Sequence, residues 1–163
     1  MPIRQGEKPM KIATCLKILV GVLFAGFLLL QLIPYGRNHS NPAVVKEPTW
    51  DSPATRELAK RACFDCHSNE TVWPWYTNVA PVSWLTQHDV EEGRSRLNFS
   101  DIAGQRGERG GEGKRGERGE DELGEVIAEG AMPPWYYVMM HPTAKLSDQE
   151  KQQLINGLQN SMK

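Results

Sequence analysis

The chain has 163 residues, enough for one compact domain and an additional segment. Its formal net charge is −1 and its pI about 6.4, so composition offers no electrostatic case for nucleic-acid binding. Three cysteines are too few for a disulfide framework.

Residues 1–11 are polar and carry Arg4, Lys8 and Lys11. Residues 12–33 follow as an apolar run broken only by Thr14, Lys17 and Gln31, with an uncharged centre from Ile18 to Leu30. A helix needs roughly 20 apolar residues to cross a hydrocarbon core. Lys17 can snorkel toward the headgroups. Basic residues before the run predict a cytoplasmic N-terminus and an exported remainder. A cleaved signal peptide has the same order of charges, but the run is long and no small-x-small cleavage site follows Ile33. An uncleaved single-pass anchor in a bacterial inner membrane is therefore expected, with the rest of the chain periplasmic. Cys15, inside the run, reads as a small buried hydrophobe.

Residues 34–48 contain proline and asparagine and read as a linker, with His39 solvated and Asn41-Pro42 marking a turn. The folded domain, 49–163, is expected to open with Ser52 as N-cap and Pro53 at the first helical position. Ala54, Leu58, Ala62 and Cys66 recur every four residues and predict an apolar stripe.

That helix leads into Cys63-Phe64-Asp65-Cys66-His67, which has the form of a c-type haem attachment site. The chemistry asks for this spacing. Two thiols add across the two vinyl groups of one haem, and the neighbouring imidazole must reach the iron. On a helical turn positions i, i+3 and i+4 share a face, so Cys63, Cys66 and His67 are expected to converge. A dithiol redox site, a zinc site lacking its remaining ligands and a chance match are the competing readings.

The motif continues as Ser68-Asn69-Glu70-Thr71, then Trp73-Pro74-Trp75-Tyr76 and Ala80-Pro81-Val82-Ser83-Trp84. Further on come Gly93-Arg94, Leu97-Asn98-Phe99-Ser100 and Met132-Pro133. Over residues 50 to 160 this combination resembles the bacterial haem-binding-domain family of small, often membrane-anchored c-type cytochromes. The resemblance implies a single covalent haem and a redox role. It leads us to expect an all-α, class I cytochrome c-like domain wrapped around one haem.

Read residue by residue, Trp73, Trp75 and Tyr76 suit a porphyrin face, because aromatic rings cover much apolar area with few rotors. Ordinary core packing is the bland alternative. Pro74 is expected to hold this segment as a loop. Residues 81–94 predict a second helix on which Trp84, Leu85 and His88 share a face. His88 is then a core or propionate-bonding histidine, or an axial ligand opposite His67. Arg94 and Arg96 are candidates to neutralise propionates, with surface solvation as the alternative.

Glycine recurs every third residue from Gly104 to Gly119, a collagen-type register without proline. A flexible, solvated loop over 104–121 is expected, with a short triple helix or a partner-binding arm as rivals. Leu123, Val126 and Ile127 then mark a buried helical face ended by Gly130. Ala131-Met132-Pro133-Pro134 must be extended. Ser147-Asp148-Gln149-Glu150 forms a capping box ahead of Leu154, Ile155 and Leu158.

The ligand opposite His67 decides the chemistry. Met132 is the leading candidate, since an extended loop before a Leu-Ser-x-x-Glu helix is similar to the distal methionine context of class I cytochromes c. Met139, Met140 and His141 are rivals. The expectation is an electron carrier working with redox protein partners, not an enzyme. A peroxidase-like haem enzyme, or a gas or haem sensor with an open distal side, is the alternative. No acid–base pair, nucleophile triad or phosphate loop stands out.

Overall fold

The computed structural model describes residues 11–102 and 122–162. The Gly-x-y register over 104–121, and residues 1–10 of the N-terminal segment, lie outside the described residues. The fold is all-α, as the apolar periodicities predict, with one isolated backbone bridge between Lys46 and Asp101.

Helix α1, Ile12–Leu30, has 19 residues, no buried side chain and a mean hydropathy of 2.4 over its most apolar window. At 1.5 Å per residue it is about 28 Å long, matching a hydrocarbon core. Leu32 and Ile33 extend it as further turn-like bonds to Leu29 and Leu30. Cys15 is exposed on α1, so the expectation of a residue buried within the protein is corrected.

Helix α2, Pro53–Ala62, starts where expected: Ser52 Oγ accepts from the Thr55 N–H and Pro53 occupies N1. Its buried face is Thr55, Leu58, Ala59 and Ala62; Ala54 is exposed. The four-residue stripe was therefore one position out of phase at its start. The helix also stops earlier than predicted. Cys63 departs from helical geometry at φ −128, and a separate single turn, α3, Phe64–His67, carries the rest of the motif.

A 3₁₀ turn at Trp75–Asn78 precedes helix α4, Val82–Arg96. Helix α5 covers residues 122–128 and ends at Gly130, whose φ of +75 favours glycine. Helix α6, Trp135–Met140, was not anticipated. Six residues after two prolines are too few for a periodicity to show. Helix α7, Asp148–Ser161, closes the domain.

Leu58, Ala59, Ala62, Phe64, Phe99, Ile127, Leu146, Leu154 and Leu158 form the core. Helices α2 and α7 cross closely at Gly157, where an added Cβ would fall 2.2 Å from Thr55 Oγ1. Trp50, Phe64 and Phe99 pack as a ring trio with centroids 5.4–6.2 Å apart. Each such pair adds about 0.5–1.5 kcal/mol beyond area burial.

The capping box of α7 forms in full: Ser147 Oγ receives the Glu150 N–H, and Glu150 Oε2 accepts the Ser147 N–H at 2.8 Å. Arg61 adds a charge-assisted bond to Glu150 at 2.6 Å. The Ser147 backbone bond first, then Arg61, holds the Glu150 carboxyl at about 2, below its ordinary 4.5. Its stabilising effect is complete above 4.5 and fades as pH falls through about 2. Glu150→Gln should therefore show a shallower loss of urea midpoint across that window than the natural chain, modestly so because the group is solvated. Ser147→Ala should cost about 1 kcal/mol at neutral pH in the same assay.

Residues 34–48, expected as a solvated linker, lie along the domain. Val45 and Lys46 donate to Ser100 O, and Asn41 Nδ2 donates to Thr71 O at 2.9 Å. His39 is not solvated but stacks on Trp73 at 4.6 Å, with Nε2 within 3.2 Å of Thr77 O. Its flat ring finds a flat partner that lies 34 residues further along the chain, a distance no local reading can span.

Candidate functional site

Cys63, Cys66 and His67 do come together, on the junction between α2 and α3 rather than on one continuous helix. Backbone bonds from Cys66 N and His67 N to Cys63 O close the turn at 3.2 and 2.8 Å. Helix α4 backs it at very close range. A Cβ on Gly93 would lie 2.5 Å from Cys66 O, so only glycine allows this approach.

The segment 97–100 runs beside His67 and orients it. Phe99 N donates to His67 O at 2.8 Å, and Asn69 N donates to Ser100 Oγ at 2.9 Å. The His67 ring places Nδ1 3.0 Å from Leu97 O. A carbonyl can only accept, so Nδ1 carries the proton and Nε2 keeps its lone pair. A backbone carbonyl on the second nitrogen is the usual way a metal-binding histidine is oriented. Burial, the largest influence, pushes the imidazole below its ordinary range, which keeps it neutral and able to ligate.

Burial also pushes both thiols, Cys63 and Cys66, up to about 12. A dithiol exchange site needs a thiolate favoured near neutral pH, so these cysteines are poorly suited to it. They are free thiols in the structure. Among the described residues no three His, Cys, Asp or Glu side chains meet so as to hold a metal ion between them.

Two residues that sequence reasoning overlooked tie the motif to α6. Asp65, inside the Cys-x-x-Cys spacer, accepts from Tyr137 Oη at 2.7 Å, and its other oxygen accepts from Val72 N. Burial and then the Asp65 charge raise the Tyr137 phenol, so it remains a donor. Tyr136 Oη likewise donates to Asp89 on α4 at 3.1 Å. No local signal marks either pair, because each joins elements 47 or 72 residues apart.

The other predicted site residues have varied positions. Trp73 packs on His39 and donates to Asn41 Oδ1, so its ring is spent on residues 34–48. Trp75 is 78% exposed, and Tyr76 Oη lies 3.2 Å from His141 Nε2. Arg94 is a clamp within the protein: it donates to Ser68 O, Ser40 O, Asn41 Oδ1 and Thr71 Oγ1. Those bonds occupy the guanidinium that was a candidate for propionates or for solvent. Arg96 forks onto Glu92 one turn back.

Among candidates for the second axial position, His88 lies at the surface, 3.3 Å from Glu92. His141 stacks on Tyr137 at 4.1 Å, and its Nδ1 faces Tyr137 O while Nε2 faces Tyr76 Oη. Both ring nitrogens are thus engaged. Met139 and Met140 are exposed. Met132 is 38% exposed, with its backbone N–H bonded to Val126 O at 3.0 Å.

A sequence model of a family described as a haem-binding domain matches residues 25–160. This chain belongs to the haem-binding-domain family. No curated protein and no solved structure matches it. The matched region of this haem-binding domain begins inside α1 and takes in residues 34–48, consistent with their packing on the domain. The donors available agree with haem: a neutral imidazole oriented through Nδ1 by Leu97 O, and two half-buried free thiols one helical turn apart.

Proposed function

We propose that this haem-binding protein is a membrane-anchored, monohaem c-type cytochrome that carries one electron at a time between redox protein partners. The observation that carries the reading is His67, whose Nδ1 is tied to Leu97 O and whose Nε2 is left to ligate, on the same turn as two unpaired thiols. A bound haem supplies a one-electron couple between Fe(II) and Fe(III).

The chain's residues do the rest. Cys63 and Cys66 would hold the haem covalently, each thiol S–H adding across one vinyl group with no net oxidation or reduction. Such bonds prevent loss of the cofactor in an exported compartment. His67 would ligate the iron through Nε2, in an orientation set by Leu97 O. Met132 is the proposed second ligand, supported by the engagement of His141 and by the surface position of His88. With His67 and Met132 both held by the fold, ligation would change little between oxidation states, and a thioether ligand would favour the reduced one. Helix α1 confines the carrier to the membrane, with Arg4, Lys8 and Lys11 supporting an N-terminus inside and a periplasmic domain.

The exposure of Met132 is the observation that favours a second reading, a haem enzyme or gas sensor with an open distal side. Absorption spectra separate the two. The natural holoprotein should be six-coordinate and low-spin, and its reduced form should not bind carbon monoxide. Met132→Ala should become five-coordinate and bind it. Rapid carbon monoxide binding by the natural reduced protein would establish the alternative. Unchanged methionine-ligated features in Met132→Ala would remove Met132 from the iron.

A further inference from the structure

Helix α1 does not end in a free tether. Gln31, its C-cap, pairs with the Ala80 peptide in both directions: Nε2 donates to Ala80 O and Oε1 accepts from Ala80 N, each at 3.0 Å. Arg37 donates to Gln31 O at 2.7 Å, and Tyr35 Oη donates to Glu91 Oε2 at 3.0 Å. Gly36 turns at φ +80, and a Cβ there would lie 2.1 Å from Ser83 O. The start of α4 is therefore pressed against the end of the anchor.

This clasp sets depth. Gln31 follows a helix about 28 Å long, so it sits at the edge of the hydrocarbon core. Ala80, bonded to it, sits at the same level. Beside Ala80, Val82 and Leu85 lie one turn apart on α4 and are 41% and 46% exposed. Trp75, on the adjoining 3₁₀ turn, is 78% exposed, and Tyr35 is 44% exposed. Exposed aliphatic residues next to Ala80, with an exposed Trp and Tyr close by in the chain, have the makeup of an interfacial belt. Arg37, exposed beside Gln31, adds a cation at headgroup depth.

We propose that the edge of the domain formed by Trp75, Val82 and Leu85 docks on the lipid interface of the membrane that holds α1. The occupant is bilayer lipid, and the docking holds the haem domain in one orientation above the membrane. The inference rests on the membrane-anchor reading.

The full-length holoprotein, reconstituted in phosphatidylcholine nanodiscs containing phosphatidylcholine with a photoactivatable diazirine near the glycerol, tests this by mass-spectrometric mapping of labelled residues. Labels are expected on α1 and on Trp75, Val82 and Leu85. They should be lacking on α7, which packs on α2. In Val82→Asp/Leu85→Asp, α1 should stay labelled while residues 75–85 fall to the α7 level. An aspartate at the first turn of α4 is compatible with the helix, and an unchanged haem spectrum verifies the fold. Gln31→Leu should reduce the same labels by opening the clasp. Labelled α1 with unlabelled 75–85 in the natural chain overturns the docking alone. An unlabelled α1 overturns the anchor reading and the docking with it.

Discussion

Replacing both Cys63 and Cys66 by alanine is expected to abolish haem that survives denaturation, the largest single effect of any change in this protein. Haem-dependent peroxidase staining after a denaturing gel, with a pyridine haemochrome spectrum, checks it. Either single variant should retain one thioether and a shifted spectrum. His67→Ala should behave differently: covalent haem stays, but the low-spin spectrum is lost. Its cost to folding is separate. It leaves Leu97 O without its partner, a loss of about 1 kcal/mol because that carbonyl is only half-buried. Haem retained on a denaturing gel by the double variant would exclude covalent attachment through these thiols.

Gly93→Ala is the second large effect, and its sign discriminates between two causes. In an ordinary helix interior, glycine to alanine stabilises by about 0.5–1 kcal/mol. Here the added methyl meets Cys66 O at 2.5 Å and Cys66 Cβ at 3.1 Å. Backbone cannot move aside as a flexible side chain can, so overpacking costs about 1–3 kcal/mol and outweighs the propensity gain. The expected outcome is a lower urea midpoint with a perturbed haem spectrum, because the turn carrying Cys66 and His67 must shift. A rise in midpoint with an unaltered spectrum would show that α4 does not press on the motif.

Both predictions concern the same few residues, but they draw on different knowledge. The closeness of Cys63, Cys66 and His67 was legible from spacing alone, since three residues within five consecutive positions share one turn. The box at Ser147 and Glu150 and the terminator at Gly130 were legible, because caps are short-range devices. Leu97 was not. Its contribution is a carbonyl, which every residue carries, and only the folded chain shows which one faces an imidazole. Asp65 and Tyr137 were missed for a related reason: 72 residues separate them.

Charge and polarity do not specify a partner. Arg94, a candidate for propionates or for solvent, spends its donors on Ser68, Ser40, Asn41 and Thr71. His39, expected in solvent, stacks on Trp73, whose ring was open to core packing as well as to haem. Polar residues around a proline look like a linker until tertiary contacts give their backbone groups partners.

By itself, the sequence determined that the chain is helical, that an apolar segment precedes a domain, and that two thiols and an imidazole lie one turn apart. These follow from period, length and spacing, all properties of neighbouring residues. Only the tertiary structure decided which nitrogen of His67 remains free, how closely α4 approaches Cys66 and where the end of α1 meets Ala80. Those depend on contacts between distant segments, where burial and hydrogen-bond geometry select among partners that local pattern leaves equivalent.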